Sequence, residues 1–331
     1  MTQEYKIGKF CFILMKINSS SYSMPISFSR NQIGSVFALC AAFLFSSKAI
    51  FIKQAYALSS QVDATVLMAL RMGSALPFFL FMAWYFRKQR QALQPKDWGL
   101  LVIAGLLGYY FASWLDFIGL MYISASLERI ILFLYPTLTV LASSLIYKQP
   151  LRLKAYIAIL LSYGGTVIVM LQEQNHAPMQ SNFWLGASLV FASAVAFACY
   201  LLLTPRLIEK FGASNFTGLA LSIACMGTLV HFALATPQPL HLLAQLPLGV
   251  WAYGIGLGLF VTVLPTMLLM QSIARIGASQ SAMIAAIGPI LTILLAVLFL
   301  NEHLNLWQWL GCALNIIGIM LISLSKHRLK H

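Results

Sequence analysis

Six charged residues lie inside long apolar runs: Lys48, Lys53, Arg71, Asp116, Glu128 and Arg129. A charge at the centre of a bilayer costs roughly 2.5–3.5 kcal/mol on insertion scales, so such groups persist when they pair, line water or act on a ligand. Counting from the run ends puts all six in the same half of the membrane. Asp116 and Glu128 flank one very short turn (Tyr122–Ser124), which sets the two carboxylates at similar depth on adjacent elements. Two chemistries fit. In one, the carboxylates neutralise Arg71, Arg129 or Lys48 and hold the elements together, while Lys53 snorkels to the interface. In the other, the set binds a polar or anionic group of a substrate and a carboxylate takes up a proton. Tyr109, Tyr110, Trp114 and Tyr135 thread the same region, as core aromatics or as a cavity lining.

The elements that carry these residues are membrane helices. The chain has 331 residues, 60% hydrophobic and only 9% charged, with a mean hydropathy of +0.84. A soluble domain carries about 25% charged residues, so lipid must be the solvent. Ten apolar runs are long enough to span, near 34–57, 64–86, 98–122, 125–147, 153–171, 183–204, 216–235, 249–271, 278–300 and 304–325. The net charge of +13 does not mark a nucleic-acid surface, because the basic residues sit in the gaps between runs. Seventeen of the 21 fall on one side when the connections alternate, among them Arg87, Lys88, Arg90, Lys96, Lys148, Arg152 and Lys154. The opposite side has no basic residue and carries Asp63, Glu173 and Glu302. The positive-inside rule then places both termini in the cytoplasm of a plasma (cell inner) membrane protein. Residues 1–32 read as a cytoplasmic segment. Met24 offers an alternative start, with 1–23 a gene-model extension or else a short surface-lying piece. Residues 326–331 read as a cytoplasmic tail. The cysteines (Cys11, Cys40, Cys199, Cys225, Cys312) form no C-x-x-C pair and read as small buried hydrophobes.

The chain repeats itself at a spacing of 153 residues without a gap. Ala125, Ser126, Pro136, Thr139 and Gly165 fall on Ala278, Ser279, Pro289, Thr292 and Gly318. Each half, 33–172 and 183–325, holds five helices. Five is odd, so the second half enters the membrane inverted, as in many secondary transporters. The gap at 148–154 has three basic residues and its counterpart at 301–307 has none, as opposite membrane sides require. Pro136 and Pro289 fall mid-run, where each removes a backbone donor and frees a carbonyl. Paired breaks at the midplane point either to a substrate path or to kinks that only shape packing. Pro77 and Pro265 fit either reading.

With the repeat in hand, the chain resembles the drug/metabolite transporter superfamily in its EamA-type ten-helix branch. ‘SASLERIILFLYPTLTVL’ at 124–141 and ‘GASQSAMIAAIGPILTILLAVLFLNEHLNLWQWLG’ at 277–311 are similar to the two copies of that family’s signature, and ‘FSSKAIFIK’ at 45–53 and Arg71 also fit. The resemblance covers about 33–325. It implies an all-α integral membrane fold of two inverted five-helix repeats. The family’s acidic residue after the fourth helix is Gln149 here, whereas Glu302 keeps its place after the ninth.

No G-x-x-x-x-G-K-[ST], H-E-x-x-H or G-x-S-x-G string occurs; Gly277-Ala278-Ser279-Gln280-Ser281 lacks the second glycine. His231 is alone in its helix, and the second half otherwise offers Gln271 and Asn315. No enzyme chemistry, cofactor or metal is therefore expected. The expected function is secondary transport of a small polar metabolite by alternating access, with proton coupling through a carboxylate. An amino acid or related zwitterion leads, because the cluster carries both signs. Multidrug or organic-cation efflux is the alternative, and a membrane-embedded enzyme or scaffold the reading of another class. The substrate or coupling candidates are Lys48, Arg71, Asp116, Glu128, Arg129, Tyr135, Pro136 and Pro289. The expected partners are a small molecule, protons and the lipid bilayer, not nucleic acid; no oligomeric state is assigned.

Overall fold

The computed structural model describes residues 30–91, 93–148, 151, 153–176 and 182–327. The N-terminal segment to residue 29, Gln149, Arg152 and residues 328–331 lie outside the described residues, as does Cys11. The described chain is helical, with no strand among its elements. Among the described residues nine helices are long and apolar enough to cross a membrane, spans 1 to 9 in chain order: Asn31–Leu58, Ala64–Tyr85, Pro95–Gly119, Ala125–Ile146, Leu153–Gln174, Phe183–Phe211, Ala213–Ala235, Leu248–Gly277 and Gln280–Leu300. A tenth, Leu306–His327, has 22 residues with an apolar stretch at Leu306–Leu321. In lipid every backbone polar group must be satisfied within the protein, and unbroken helices do this without help. Connections are short, and side chains cap the first turns of spans 2 and 3. Asp63 accepts from the Val66 amide at 2.8 Å to start span 2. Asp97 accepts from the Gln94 amide at 2.8 Å to start span 3. Gly212 and Gly277 turn the chain at φ +75° and +80°, a conformation that a Cβ disfavours.

The irregularities repeat as the sequence does. Span 4 breaks after Leu132 and resumes at Tyr135. Span 9 breaks after Ala285 and resumes at Gly288, 153 residues on. Span 3 contains a π-helical stretch at Leu106–Phe111, and span 8 one at Leu259–Val263. Lys148 and Asn301 both end their helices in the left-handed region, at φ 51° and 53°. The expectation of mid-helix prolines needs one correction. Pro136 and Pro289 each sit in the first turn of the second half-helix, where a missing N–H costs little. Pro77 lies inside an unbroken span 2, and Pro265 in the first turn after the π stretch.

Two contacts mark the pseudo-two-fold axis, because each joins a residue to its own counterpart. The Cys225 thiol lies 3.6 Å from Met72 Sδ, joining spans 2 and 7. Asn315 Nδ2 donates to the Ser162 carbonyl at 3.1 Å, joining spans 5 and 10. Glycines permit the close packing around this axis, as small residues do between membrane helices. A Cβ on Gly165 would run into the Gly311 carbonyl, and one on Gly318 into the Ala158 carbonyl, its symmetric equivalent. Span 2 is the most enclosed, with 61% of its apolar window buried; span 4 has 28%. Arg71 thus sits on the most enclosed helix, whereas Glu128 and Arg129 lie in the buried first half of span 4, Ala125–Leu132, whose remainder is far less enclosed.

Two of the cysteines depart from expectation. Cys225 and Cys312 are buried, but Cys40 and Cys199 are exposed on the helix exterior. In lipid an outward thiol loses nothing by leaving the core, so hydrophobicity alone does not decide its direction.

Candidate functional site

Span 1 is broken like spans 4 and 9. Its two halves, Arg30–Ser46 and Lys48–Leu58, meet at Ser47. The three breaks lie together. Ser46 Oγ donates to the Gly288 carbonyl at 2.9 Å, and Thr292 Oγ1 donates to the Ser46 carbonyl at 3.0 Å. Arg129 Nη2 donates to the Phe45 carbonyl at 3.2 Å. A Cβ on Gly288 would touch the Phe133 ring, so the span 4 break faces the span 9 break.

The ion cluster grows from this junction. The span 1 break places Lys48 at the start of a helix. Its Nζ lies 2.6 Å from Asp116 Oδ2 and 3.0 Å from Glu128 Oε1. Arg129 Nε lies 3.9 Å from Glu128 Oε2. Glu128 is fully buried and Asp116 nearly so. Four of the six expected residues therefore form one set with two charges of each sign. Asp116 and Glu128 also lie within side-chain hydrogen-bond reach of each other, so the two carboxylates form a facing pair bridged by Lys48. The short span 3–4 turn does bring the two carboxylates to one depth, as their spacing implies.

Arg71 behaves differently. Among the described residues no carboxylate lies within ion-pair distance of it: of the three expected partners, Arg71, Arg129 or Lys48, the carboxylates take Lys48 and Arg129. Arg71 Nε donates to Thr262 Oγ1 at 2.9 Å across the two halves. The guanidinium stands 5.4 Å from the Phe117 ring centre. Lys53 is part-buried, within electrostatic reach of Glu302, Glu173 and Glu128. Tyr135 stands edge-on to Phe197 at 5.0 Å, within electrostatic reach of Arg129. Pro136 and Pro289 shape the junction rather than contact the ions.

Sequence reasoning missed several partners. His231 is not isolated: its ring is edge-on to Trp114 at 5.3 Å and to Tyr110 at 5.8 Å. Thr262 belongs to the π stretch, where its hydroxyl also donates to the Leu257 carbonyl at 2.8 Å. Two of the three acidic residues that mark one face in sequence, Glu173 and Glu302, converge on the start of span 4. Glu302 accepts from the Ala125 amide at 2.7 Å, the Ser126 amide at 3.1 Å and Ser126 Oγ at 2.6 Å. Glu173 accepts from the Ser124 amide at 2.9 Å and Ser124 Oγ at 2.7 Å. Carboxylates at a helix N-terminus satisfy its orphan amides and oppose its dipole. The signal for this latch was present in the repeated ‘Ala-Ser’ and in Glu302. On the basic face a different tie joins the halves: Arg90 Nε donates to Asn215 Oδ1 at 2.9 Å, and Asn215 Nδ2 to the Ala83 carbonyl at 2.6 Å.

Comparison with known proteins agrees with a transporter. The EamA-like transporter family matches residues 32–171 and 184–324. An uncharacterized transporter of Bacillus subtilis, YcbK, is 30% identical over 281 residues, which cover 84% of this chain and 89% of that protein. A second from the same organism, YyaM, is 24% identical over 255 residues, 77% of this chain and 83% of its own. A solved crystal structure matches at TM-score 0.60 and 20% identity, covering 90% of this chain and 99% of the other. The chain is a multi-pass membrane protein and belongs to the EamA-like transporter family.

Proposed function

We propose that the protein is a secondary transporter of small polar metabolites, an amino acid or related zwitterion, working by alternating access in the plasma membrane with both termini cytoplasmic. The observation that carries this reading is the buried set Lys48, Asp116, Glu128 and Arg129, built where three broken helices meet. Broken helices beside a repeat interface are where transporters bind substrate and coupling ions. Charges this deep have no bulk water to solvate them, so they favour a cargo that brings its own charges of both signs. One of the two carboxylates carries the coupling proton, because a proton there changes the charge of the cluster without moving its backbone. The orientation rests on the charge division between the two faces.

The test is counterflow in proteoliposomes preloaded with an unlabelled mixture of the common amino acids, with uptake of each labelled amino acid followed at two values of pH. Saturable, pH-dependent exchange is expected. Saturable exchange of organic cations such as tetraphenylphosphonium, with none of any amino acid, would replace this reading with multidrug efflux.

A further inference from the structure

We infer that Arg71 is the anion-binding residue of the transport site, taking the carboxylate of the cargo together with the indole N–H of Trp114. The inference rests on the proposed function and assigns the two signs of a zwitterion to two places.

The first ground is charge. Lys48, Arg129 and Arg71 are the cations packed about Asp116 and Glu128, while Lys53 is balanced chiefly by Glu302 and Glu173. Three against two leaves one positive charge in excess. Asp116 and Glu128 are engaged by Lys48, so the excess resides on Arg71. Asp116 acts on it electrostatically without contact. The side chain is 9% exposed. A buried cation without a paired anion is costly, and a ligand carboxylate removes that cost on binding.

The second ground is geometry. The guanidinium is fixed by neutral groups only: Thr262 at Nε and the Phe117 face. Its Nη1 is buried and makes no hydrogen bond within the protein. Gly258 lets span 2 approach closely here, since a Cβ would meet the Arg71 carbonyl and the Ser74 hydroxyl. Trp114 lies one helical turn before Phe117 on the same face of span 3. Its Nε1 is also buried without a partner. A planar guanidinium with a free edge suits a carboxylate. The facing carboxylates of Asp116 and Glu128, bridged by Lys48, supply the negative side that takes the cargo’s ammonium.

The third ground is position. Arg71 adjoins Met72, which touches its own counterpart Cys225 on the pseudo-two-fold axis. A residue at the axis keeps its depth when two inverted halves exchange conformations, so a ligand held there is reachable from either face. The symmetric position is Ala224, so the second half supplies no competing cation.

The experiment compares wild type, Arg71→Gln, Arg71→Lys and Trp114→Phe. Purified protein is heated with the amino-acid mixture, with the corresponding decarboxylated amines, or with inorganic phosphate, and counterflow gives KM for each exchanged amino acid. Wild type should be stabilised by the amino acids and not by the amines or phosphate. Arg71→Gln should abolish that stabilisation, yet unfold without ligand no earlier than wild type, because it removes an uncompensated charge. Arg71→Lys and Trp114→Phe should raise KM roughly 10- to 100-fold, as expected for loss of a hydrogen bond to a charged group. If Arg71→Gln fails to fold, Trp114→Phe and Arg71→Lys decide the matter through KM. Amino-acid exchange with unchanged KM in the variants overturns this inference and leaves the transport reading standing. Stabilisation by phosphate alone overturns the carboxylate assignment. No exchange of any amino acid overturns both readings.

Discussion

Replacing Glu128 by glutamine should unbalance four buried charges that now sum to zero. Its carboxylate faces Lys48 Nζ at 3.0 Å and Arg129 Nε at 3.9 Å. At an effective dielectric of about 20 these contacts represent gross attractions of about 5.5 and about 4 kcal/mol. Much of that is offset by the cost of drying the ions. Removing one partner nevertheless leaves the others dry and unpaired, which typically costs about 3–5 kcal/mol. Arg129 would keep only the Phe45 carbonyl, a neutral acceptor that does not replace a carboxylate. The companion variant is Lys48→Met with Glu128→Gln, which removes one charge of each sign and leaves Asp116 and Arg129 in balance. The double variant should be more stable than the sum of the singles by about 2 kcal/mol, as for groups in one network. Unfolding in nanodiscs can be followed by the reactivity of the buried thiols Cys225 and Cys312, with Cys11, Cys40 and Cys199 changed to serine. If Glu128→Gln unfolds with the wild type and the coupling is below about 0.5 kcal/mol, the cluster is solvated and the reasoning is wrong. The same variant separates the two roles of Glu128. Loss of pH-dependent exchange at normal abundance identifies a proton carrier, and loss of abundance a structural ion.

Glu302→Gln and Glu173→Gln should each weaken the start of span 4 by about 1 kcal/mol, read as faster maleimide labelling of Ser124→Cys from the acidic face; unchanged labelling would deny a latch there. Gly165→Leu or Gly318→Leu should separate spans 5 and 10 and lower stability by at least about 1–3 kcal/mol, measured by thermal unfolding in detergent. Met72→Cys should form an oxidant-induced cross-link with Cys225, and failure to do so in folded protein would contradict the axis. A periplasmic signal from a reporter fused after residue 90 would overturn the orientation.

How much was legible in sequence follows from what each feature depends on. The ten spans follow from apolar run length, and the inverted repeat from a gapless 153-residue match whose irregularities recur in the backbone. The meeting of Lys48, Asp116 and Glu128 was foreseen in part, because a short turn fixes the depth of two carboxylates. The turn does not fix azimuth, so the choice of Lys48 over Arg71 as their partner required the packing of span 1. The break after Ser46 had no proline or glycine to announce it. It exists because Ser46 and Ser47 satisfy local carbonyls through their hydroxyls and because span 9 offers Gly288 and Thr292. Trp114 and His231 met for the same reason, through tertiary contact between spans 3 and 7.

The scaffold is symmetric but its chemistry is not, and under the proposed alternating-access cycle the distinction sorts the contacts by what each would do. The counterparts of Lys48, Asp116, Glu128 and Arg129 are Leu201, Leu269, Ser281 and Ala282, none of them charged. The span opposite span 1, Phe183–Phe211, runs without a break. All four cluster ions belong to the first half, as does the bond of Glu173 to Ser124, so they travel together when that half rotates. Arg71 to Thr262, Ser46 to Gly288, Glu302 to Ser126 and Asn315 to Ser162 join different halves. The two near the axis, at Arg71 and Asn315, lie where displacement is smallest and so can persist. In that proposed cycle Glu302 to Ser126, at the acidic face, is the contact that opening of the face would break. In the opposite state its symmetric equivalent would involve Gln149, a neutral residue that cannot hold a helix N-terminus as a carboxylate does. The halves can therefore exchange shapes, but not energies. A difference in how firmly each face closes is written into the one acidic position that the repeat does not copy.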